Sequence, residues 1–521
     1  MIRTLLLLAT ALPLLADESK EPDLLRLSNG ELEGKFGGID DKGILRWERE
    51  DGVGPMEFKT DKVRQIVLRG GHPVDPGKDA SHLELVNGDR IPAHVVSLDA
   101  ESVTLDTPMA GRLVVPRNSV RNISPNPFGG RLIYAGPFSE AGWKVYKPAD
   151  DFPPEEEEKP EDDAEDADAD NEEVEGEEED AGPDWKHSGS KWYFTGGREA
   201  LRSDVGMPDK AILRFTLEWR SRPPIAIAFH ADFADPVYPE PEEGEEELTE
   251  EAKKELQQER DNRRRSSQHL ADHFGNAYIL TLRSSYAQLQ HCGFNEDGNP
   301  FVDQIRSSAT NIRFDDTGTA DFEIRCDRKK GGIALFVNGE FSMQWNIDPQ
   351  EEDEEKGGYA APGSGIGFQM LGSDVPIRIS DIIVAEWNGM PDSARSLQSD
   401  EFDVVLLTNG TDRFSGKVSS IENGAVKLEG RYAPLEIPME EIAEIHFARD
   451  GLEEPEETRD RQSRTHFQPL GRLSGIAGVT TAETMKLRSP LLGEIDLDLS
   501  SAVIIEFQSG SSFLNYWDEE L

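Results

Sequence analysis

The chain has 521 residues, too long for a single core and enough for roughly three to four domains. Its formal net charge of −48 excludes nucleic acid and anionic membrane surfaces as partners, since both repel a polyanion. Much of that charge is local: residues 150–184 carry 21 acids and one lysine, Lys159.

The N-terminus reads as an export signal over residues 1–16. Arg3 supplies the positive start, Leu5 to Leu15 the apolar run, and Ala16 a small residue before the cut at Asp17. That run is short for a bilayer span, and no later segment has the apolar length of a transmembrane helix. The mature chain is therefore expected outside the cytoplasm, periplasmic or extracellular.

A motif of about 45 residues then occurs four times, in the range of stacked or tandem units. Repeats 1 and 2 occupy 22–70 and 82–127, and repeats 3 and 4 occupy 402–449 and 465–510. The copies open on Leu27-Ser28-Asn29-Gly30, Leu85-Val86-Asn87-Gly88, Leu407-Thr408-Asn409-Gly410 and a weaker Pro469-Leu470-Gly471. A two-step strand signal follows: Leu45/Trp47, Val103/Leu105, Val426/Leu428 and Met485/Leu487. Each copy closes on an apolar triad with spacing five then three: Phe58/Val63/Ile66, Val115/Val120/Ile123, Ile437/Ile442/Ile445 and Leu497/Ala502/Ile505. Alternating apolar residues between turn residues predict an all-β unit. The layout resembles Sm-like or SH3-like small barrels, with a long strand bent at Gly34, Gly416 or Gly475 and Pro92-Ala93 near that place in repeat 2. This likeness is one of pattern, and the acidic repeats lack the basic, aromatic loops of RNA binders.

Between the pairs, residues 128–392 predict longer strands in a β-sandwich. Two insertions interrupt it. The acidic tract 149–184 has too few apolar residues to offset ordering entropy and reads as a solvated loop. The insertion 239–273 holds strong helix formers with acids early and Arg260 to Arg265 late, an order that suits the helix dipole. Phe322 to Asp327, then Gly332 to Val337 and an Asn338-Gly339 turn, predict strands joined by a hairpin. These segments resemble laminin-G-like and concanavalin-like jelly rolls. With Gly365 to Gln369 and Ile377 to Val384, the region is similar to the 3-keto-disaccharide hydrolase-like domain family. The fold class expected is all-β: a central jelly-roll sandwich flanked by two pairs of small barrel-like repeats.

Period-two alternation sets the faces of the sandwich strands. Leu213, Phe215, Leu217 and Trp219 form one apolar face, opposite Arg214, Thr216, Glu218 and Arg220. Ile225, Ile227 and Phe229 form another, opposite His230 and Asp232. If these strands are neighbours, Glu218, Arg220, His230, Asp232 and Arg283 gather on one concave surface. Acid, histidine and arginine suit sugar hydroxyls, and paired carboxylates suit acid/base work. An ordinary wet sheet face explains the same pattern. The six tryptophans Trp143, Trp185, Trp192, Trp219, Trp345 and Trp387 sit in strand patterns and read as core before platform.

Cys292 and Cys326 are the only cysteines, and an exported chain leaves a disulfide between them open. Two cysteines without paired histidines make no zinc motif. No nucleophile elbow, phosphate loop or dinucleotide fingerprint occurs, and no cofactor is expected. The primary expectation is a non-enzymatic binding or scaffold protein of the bacterial envelope, its sandwich holding a glycan or a protein. The family resemblance implies a glycoside-acting enzyme as one alternative. A purely structural envelope protein is the other.

Overall fold

The computed structural model describes residues 22–507 apart from 28–29, 50–53, 70–80, 129, 148–183, 195, 236–268, 284–285, 296–297, 308–311, 313, 348–360, 373–374, 390–398, 411, 432 and 454–461. The export signal 1–16, the acidic tract 149–184 up to Pro183, and the charged insertion 239–273 up to residue 268 lie outside the described residues. The described part is a β protein whose single α-helix, among those residues, is His269–Phe274.

Repeat 1 has five strands: Asp23–Leu27, Gly30–Ile39, Ile44–Glu48, Met56–Lys59 and Val63–Val67. The first pairs with the second and the fifth, the second with the third, and the third with the fourth. The same pairings recur in repeat 3, from Asp403–Leu407 to Ile442–His446. They recur again in repeat 4, from Ser463–Phe467 to Ala502–Phe507. In repeat 2 the long strand is broken at Ala93 into Arg90–Pro92 and His94–Leu98, because Pro92 offers no N–H to a ladder.

The local causes are visible in the side chains. Leu45, Trp47, Val103, Leu105, Val426, Leu428, Met485 and Leu487 are all buried, and so are the triads, apart from a part-buried Phe58. The five-residue step in the triad spans a short 3-10 turn in three repeats: Thr60–Lys62, Arg117–Ser119 and Met439–Glu441. Two core residues therefore flank a turn, of whose own residues only Ser119 is buried. At Gly34, Gly416 and Gly475 an added Cβ would lie 2.4, 2.4 and 2.6 Å from the carbonyl oxygens of Glu48, Glu429 and Arg488. The long strand can cross its neighbour this closely only without a side chain. Asp23 and Asp403 do the same job in their repeats. Each carboxylate accepts a backbone N–H from the long strand, Phe36 or Val418, and another from just past the last strand, Arg69 or Ala448.

The repeats do not pair in chain order. The last strand of repeat 1 pairs with the last strand of repeat 4, and that of repeat 2 with that of repeat 3. Arg472↔Arg90 joins repeats 4 and 2. This pairing satisfies edge strands that would otherwise be open. The cores of all four repeats merge into one cluster.

The sandwich consists of two antiparallel sheets around a second core. The first sheet runs in the order Trp185–Ser188, Lys191–Phe194, Ile377–Glu386, Lys210–Trp219, Gly318–Asp327, Gly332–Val337, Glu340–Asn346, with Leu132–Gly136 also on Ile377–Glu386. The second runs Trp143–Tyr146, Ala200–Asp204, Gly365–Met370, Ile225–Ala231, Ala277–Arg283, Tyr286–Phe294, Pro300–Ser307. Leu213, Phe215, Leu217, Trp219, Ile225, Ile227 and Phe229 all enter this core, each worth about 1.5–3 kcal/mol of burial. Five of the six tryptophans are buried and Trp387 is part-buried. The helix His269–Phe274 covers the outer face of the second sheet. There Ala200, Ala226, Ala228 and Gly367 leave room for the Phe274 ring, which an added Cβ at Gly367 would approach to 2.5 Å.

Both cysteines are free thiols, which corrects the possible Cys292–Cys326 disulfide. Cys326 points from the first sheet into the core, with its Sγ 3.4 Å from His230 Nε2. Cys292 lies on the outer face of the second sheet, under the helix, and donates to the Gly275 carbonyl. Burial pushes the Cys326 thiol up to about 12, so it holds its proton.

Candidate functional site between the sandwich and the repeats

The strands Lys210–Trp219 and Ile225–Ala231 belong to opposite sheets, so the five candidate residues do not share a surface. The reason is geometric. Both apolar faces pack into one core from opposite sides, and the polar faces then point apart. Pro223 and Pro224 in the connection also deny it the N–H groups of a tight hairpin. Glu218 stays on the outer face of the first sheet, and Arg220 follows that strand, its N–H donating to the Pro376 carbonyl. His230 is fully buried at a bulge with φ 52, and burial beside Arg328 lowers it to about 4. Asp232 accepts from the backbone of Ala234 and Asn276 and from the Asn276 amide, holding a turn. Arg283 ends its strand exposed.

The face that carries Arg214, Thr216 and Glu218 looks onto repeats 2, 3 and 4 instead, across a cavity of about 520 Å³. Its sandwich wall is a set of complementary cross-strand pairs. Arg214 opposes and pairs with Glu323, which also takes Arg325. Glu218 opposes and pairs with Arg378. Thr216 Oγ1 donates to Asp321 at 2.7 Å. One end of the wall carries Phe336 and Phe341, with rings 5.7 Å apart edge to face and Arg325 4.5 Å above Phe336. Phe341 is 41% exposed, so an aromatic face is open at this rim beside the Asn338–Gly339 turn. At another edge the junction is apolar, where Phe128, Ile212, Ile383 and Leu470 cluster.

The repeat wall is one row across three repeats. Strand register runs His446↔Asn122↔Glu84↔Arg90↔Arg472↔His466, and residues directly opposite share a sheet face. Glu84 takes Asn122 at 3.2 Å and Arg121 at 3.4 Å. Arg472 donates to the Gly88 carbonyl at 2.7 Å and to Asp381 of the sandwich at 2.9 Å. Glu444 lies 2.8 Å from His446, and Glu506 lies 3.3 Å from both His466 and Lys191.

Burial alone would raise these carboxyls, yet the cations around them win. Arg214 and Arg325 hold Glu323 below its ordinary value. Against burial, the hydrogen bond and charge of His446, with Arg214, bring Glu444 down to about 2. Arg472 and Arg90 lower Asp381, and Lys191 and His466 lower Glu506 well below the carboxylate range. Ionised carboxylates and guanidinium groups together make a surface of fixed acceptors and donors, fit for a ligand rich in hydroxyl groups. A glycosidase acid requires the opposite shift, a carboxyl kept protonated near neutrality. Among the described residues no group of three or more His, Cys, Asp or Glu is placed to hold a metal ion, and no helix is long and apolar enough to cross a membrane.

The sandwich wall had a signal in the sequence: the alternation that set Arg214, Thr216 and Glu218 on one face. The repeat wall had none, because it exists only after strands far apart in the chain have paired.

No known family model matches the chain, and no curated protein matches it in sequence. Among solved structures, it is similar to a Bacillus subtilis protein with a galectin-like fold at 13% identity, covering 38% of this chain and 81% of that one, TM-score 0.25. It is also similar to a carbohydrate-binding module from Bacillus subtilis at 9% identity, covering 39% and 88%, TM-score 0.19. A galectin from Caenorhabditis elegans matches at 12% identity over 36% and 94%, TM-score 0.20.

Proposed function

We propose that this chain is an exported, non-enzymatic binding protein of the cell envelope, and that the cleft between sandwich and repeats receives a glycan. The observation that carries the reading is the cleft itself. A space of about 520 Å³ lies between two β units and is lined by paired carboxylates and arginines, with an aromatic rim at Phe336 and Phe341. Sugars need such a mixture: ionic acceptors and donors for hydroxyls, and an apolar ring face for the pyranose. The alternative of a glycoside-acting enzyme depended on Glu218, His230, Asp232 and Arg283 converging, and these lie on two sheets.

The test is a glycan array probed with the mature chain, alongside Phe341→Ala and Glu218→Gln. Retention of specific glycans by the wild type, weakened at least tenfold in both variants, is the expected result. Variants that bind as the wild type does would move the site elsewhere. An array on which nothing is retained would refute the reading.

A further inference from the structure

We infer that the repeat wall carries a subsite for an anionic group, so that the ligand of the cleft is an acidic glycan bearing a carboxylate or a sulfate ester. This rests on reading the cleft as a glycan site.

On the sandwich wall Arg214 and Arg378 each face an acid across the ladder, and Arg325 pairs with Glu323 on its own strand. The repeat wall is not matched in this way. Where repeat 4 meets repeat 2, the register sets Arg472 directly opposite Arg90. Like charges in that position are destabilising, and this bridge is a contact point the fold could make with any residue pair. Arg472 is engaged by the Gly88 carbonyl and Asp381. Arg90 is left over. Glu84, its opposite on the other side, is already taken by Asn122 and Arg121, and the buried Nε of Arg90 has no hydrogen-bond partner. Burial and the charge of Arg472 depress Arg90, and the charges of Asp381 and Glu84 offset this only in part, so a bound anion would stabilise its charged form further.

The wider count agrees. The repeat wall holds five arginines, at 90, 121, 449, 464 and 472, against three glutamates, at 84, 444 and 506. His82, His446 and His466 line it too. On this wall the cations outnumber the acids in a chain of net charge −48, while the sandwich wall opposite carries five acids against four cations. A guanidinium with a free edge matches carboxylate or sulfate oxygens by paired N–H donors. The negative field of the whole chain disfavours a densely charged polymer at longer range. The fitting ligand therefore has separated charges, as in a glycan with occasional uronic acid or sulfated residues.

The experiment uses the full mature chain and three sets of oligosaccharides of one backbone: neutral, uronate-bearing and sulfated. Wild type is compared with Arg90→Gln, Arg90→Lys and Phe341→Ala, each checked by thermal melting. Acidic ligands should bind at least tenfold more tightly than neutral ones. Arg90→Gln should weaken acidic ligands at least tenfold more than neutral ones, and Arg90→Lys should restore part of that preference. Preference for the uronate set or for the sulfated set identifies which anion is held. Should Arg90→Gln fail to fold, Arg449→Gln replaces it, since that side chain is 57% exposed. Equal binding of neutral and acidic ligands, weakened only by Phe341→Ala, overturns the anion subsite and leaves the cleft as a glycan site. Binding of none of the three sets overturns both.

Discussion

Glu444 is the group through which docking of the repeats onto the sandwich should be read out by acid. It belongs to repeat 3; against burial, the hydrogen bond and charge of His446 on its own strand lower it most, and Arg214 and Arg325 of the sandwich lower it further. Its folded value of about 2 lies below the ordinary glutamate value of 4.5, a shift worth about 3 kcal/mol. A depressed acid stabilises the fold fully above its unfolded value and loses that contribution as pH falls through the folded value. The window is therefore from about pH 4.5 down to about pH 2. Working the linkage through, about 1.4 kcal/mol remain at about pH 3, so the contribution falls by about 2 kcal/mol between neutrality and that point. Glu444→Gln removes the titration and keeps the shape. Urea denaturation of both proteins at about pH 7 and about pH 3 gives the double difference, free of the other carboxylates common to both. The wild type should exceed the variant by more at neutrality, with the gap narrowing by about 2 kcal/mol in acid. A gap that stays constant or widens would refute the assignment of Glu444 as an ionised interface acid.

Three further outcomes are expected. Gly416→Ala places a methyl 2.4 Å from the Glu429 carbonyl and should cost about 1–3 kcal/mol by urea denaturation; a variant as stable as the wild type would mean the long strand can give way. Phe274→Ala should cost about 3–5 kcal/mol, because the ring is fully buried over Gly367 and the alanine floor; a loss under about 1 kcal/mol would show that the helix is not packed on the sheet. Cys292 and Cys326 should resist thiol reagents in the native protein, react together on denaturation, and give no intramolecular bridge on non-reducing peptide mapping; prompt native labelling of either contradicts its burial.

Which parts of this molecule can be read in its sequence follows from the range of the interactions. The closing triads and the paired strand signals are local patterns, and those residues are buried with Phe58 the least so. The bend glycines are legible for the same reason: Gly34, Gly416 and Gly475 each meet the carbonyl of the next strand in their own repeat. Alternation likewise placed each residue of Leu213 to Trp219 on its correct face. It could not say which strand lies alongside. Assuming that chain neighbours pair put His230 and Asp232 beside Glu218, whereas the connection crosses between sheets. The paired last strands of repeats 1 and 4, and of 2 and 3, lie still further beyond reach. Edge-to-edge pairing is made by backbone groups common to all residues, so little in the side chains announces it.

That pairing also bears on why the cleft exists. The sandwich leaves and rejoins the chain at one place, since Leu132–Gly136 pairs with the end of Ile377–Glu386. Repeats on either side of it can therefore close on each other while the sandwich lies over them by one sheet face. An interface selected for stability alone would be apolar there, because burying ion pairs costs desolvation that well-packed hydrophobic side chains avoid. The junction is apolar only around Phe128, Ile212 and Leu470, and everywhere along the row from His446 to His466 it is polar or charged. Asp381 adds to the cost, held at φ 49 in a bulge of its strand where it meets Arg472. Strain and buried charge kept at one surface, beside a cavity, are the marks of a site that gives up stability for recognition. On that argument the charged wall belongs to the ligand as much as to the fold, and replacing its pairs by apolar residues of equal volume should raise stability while abolishing binding.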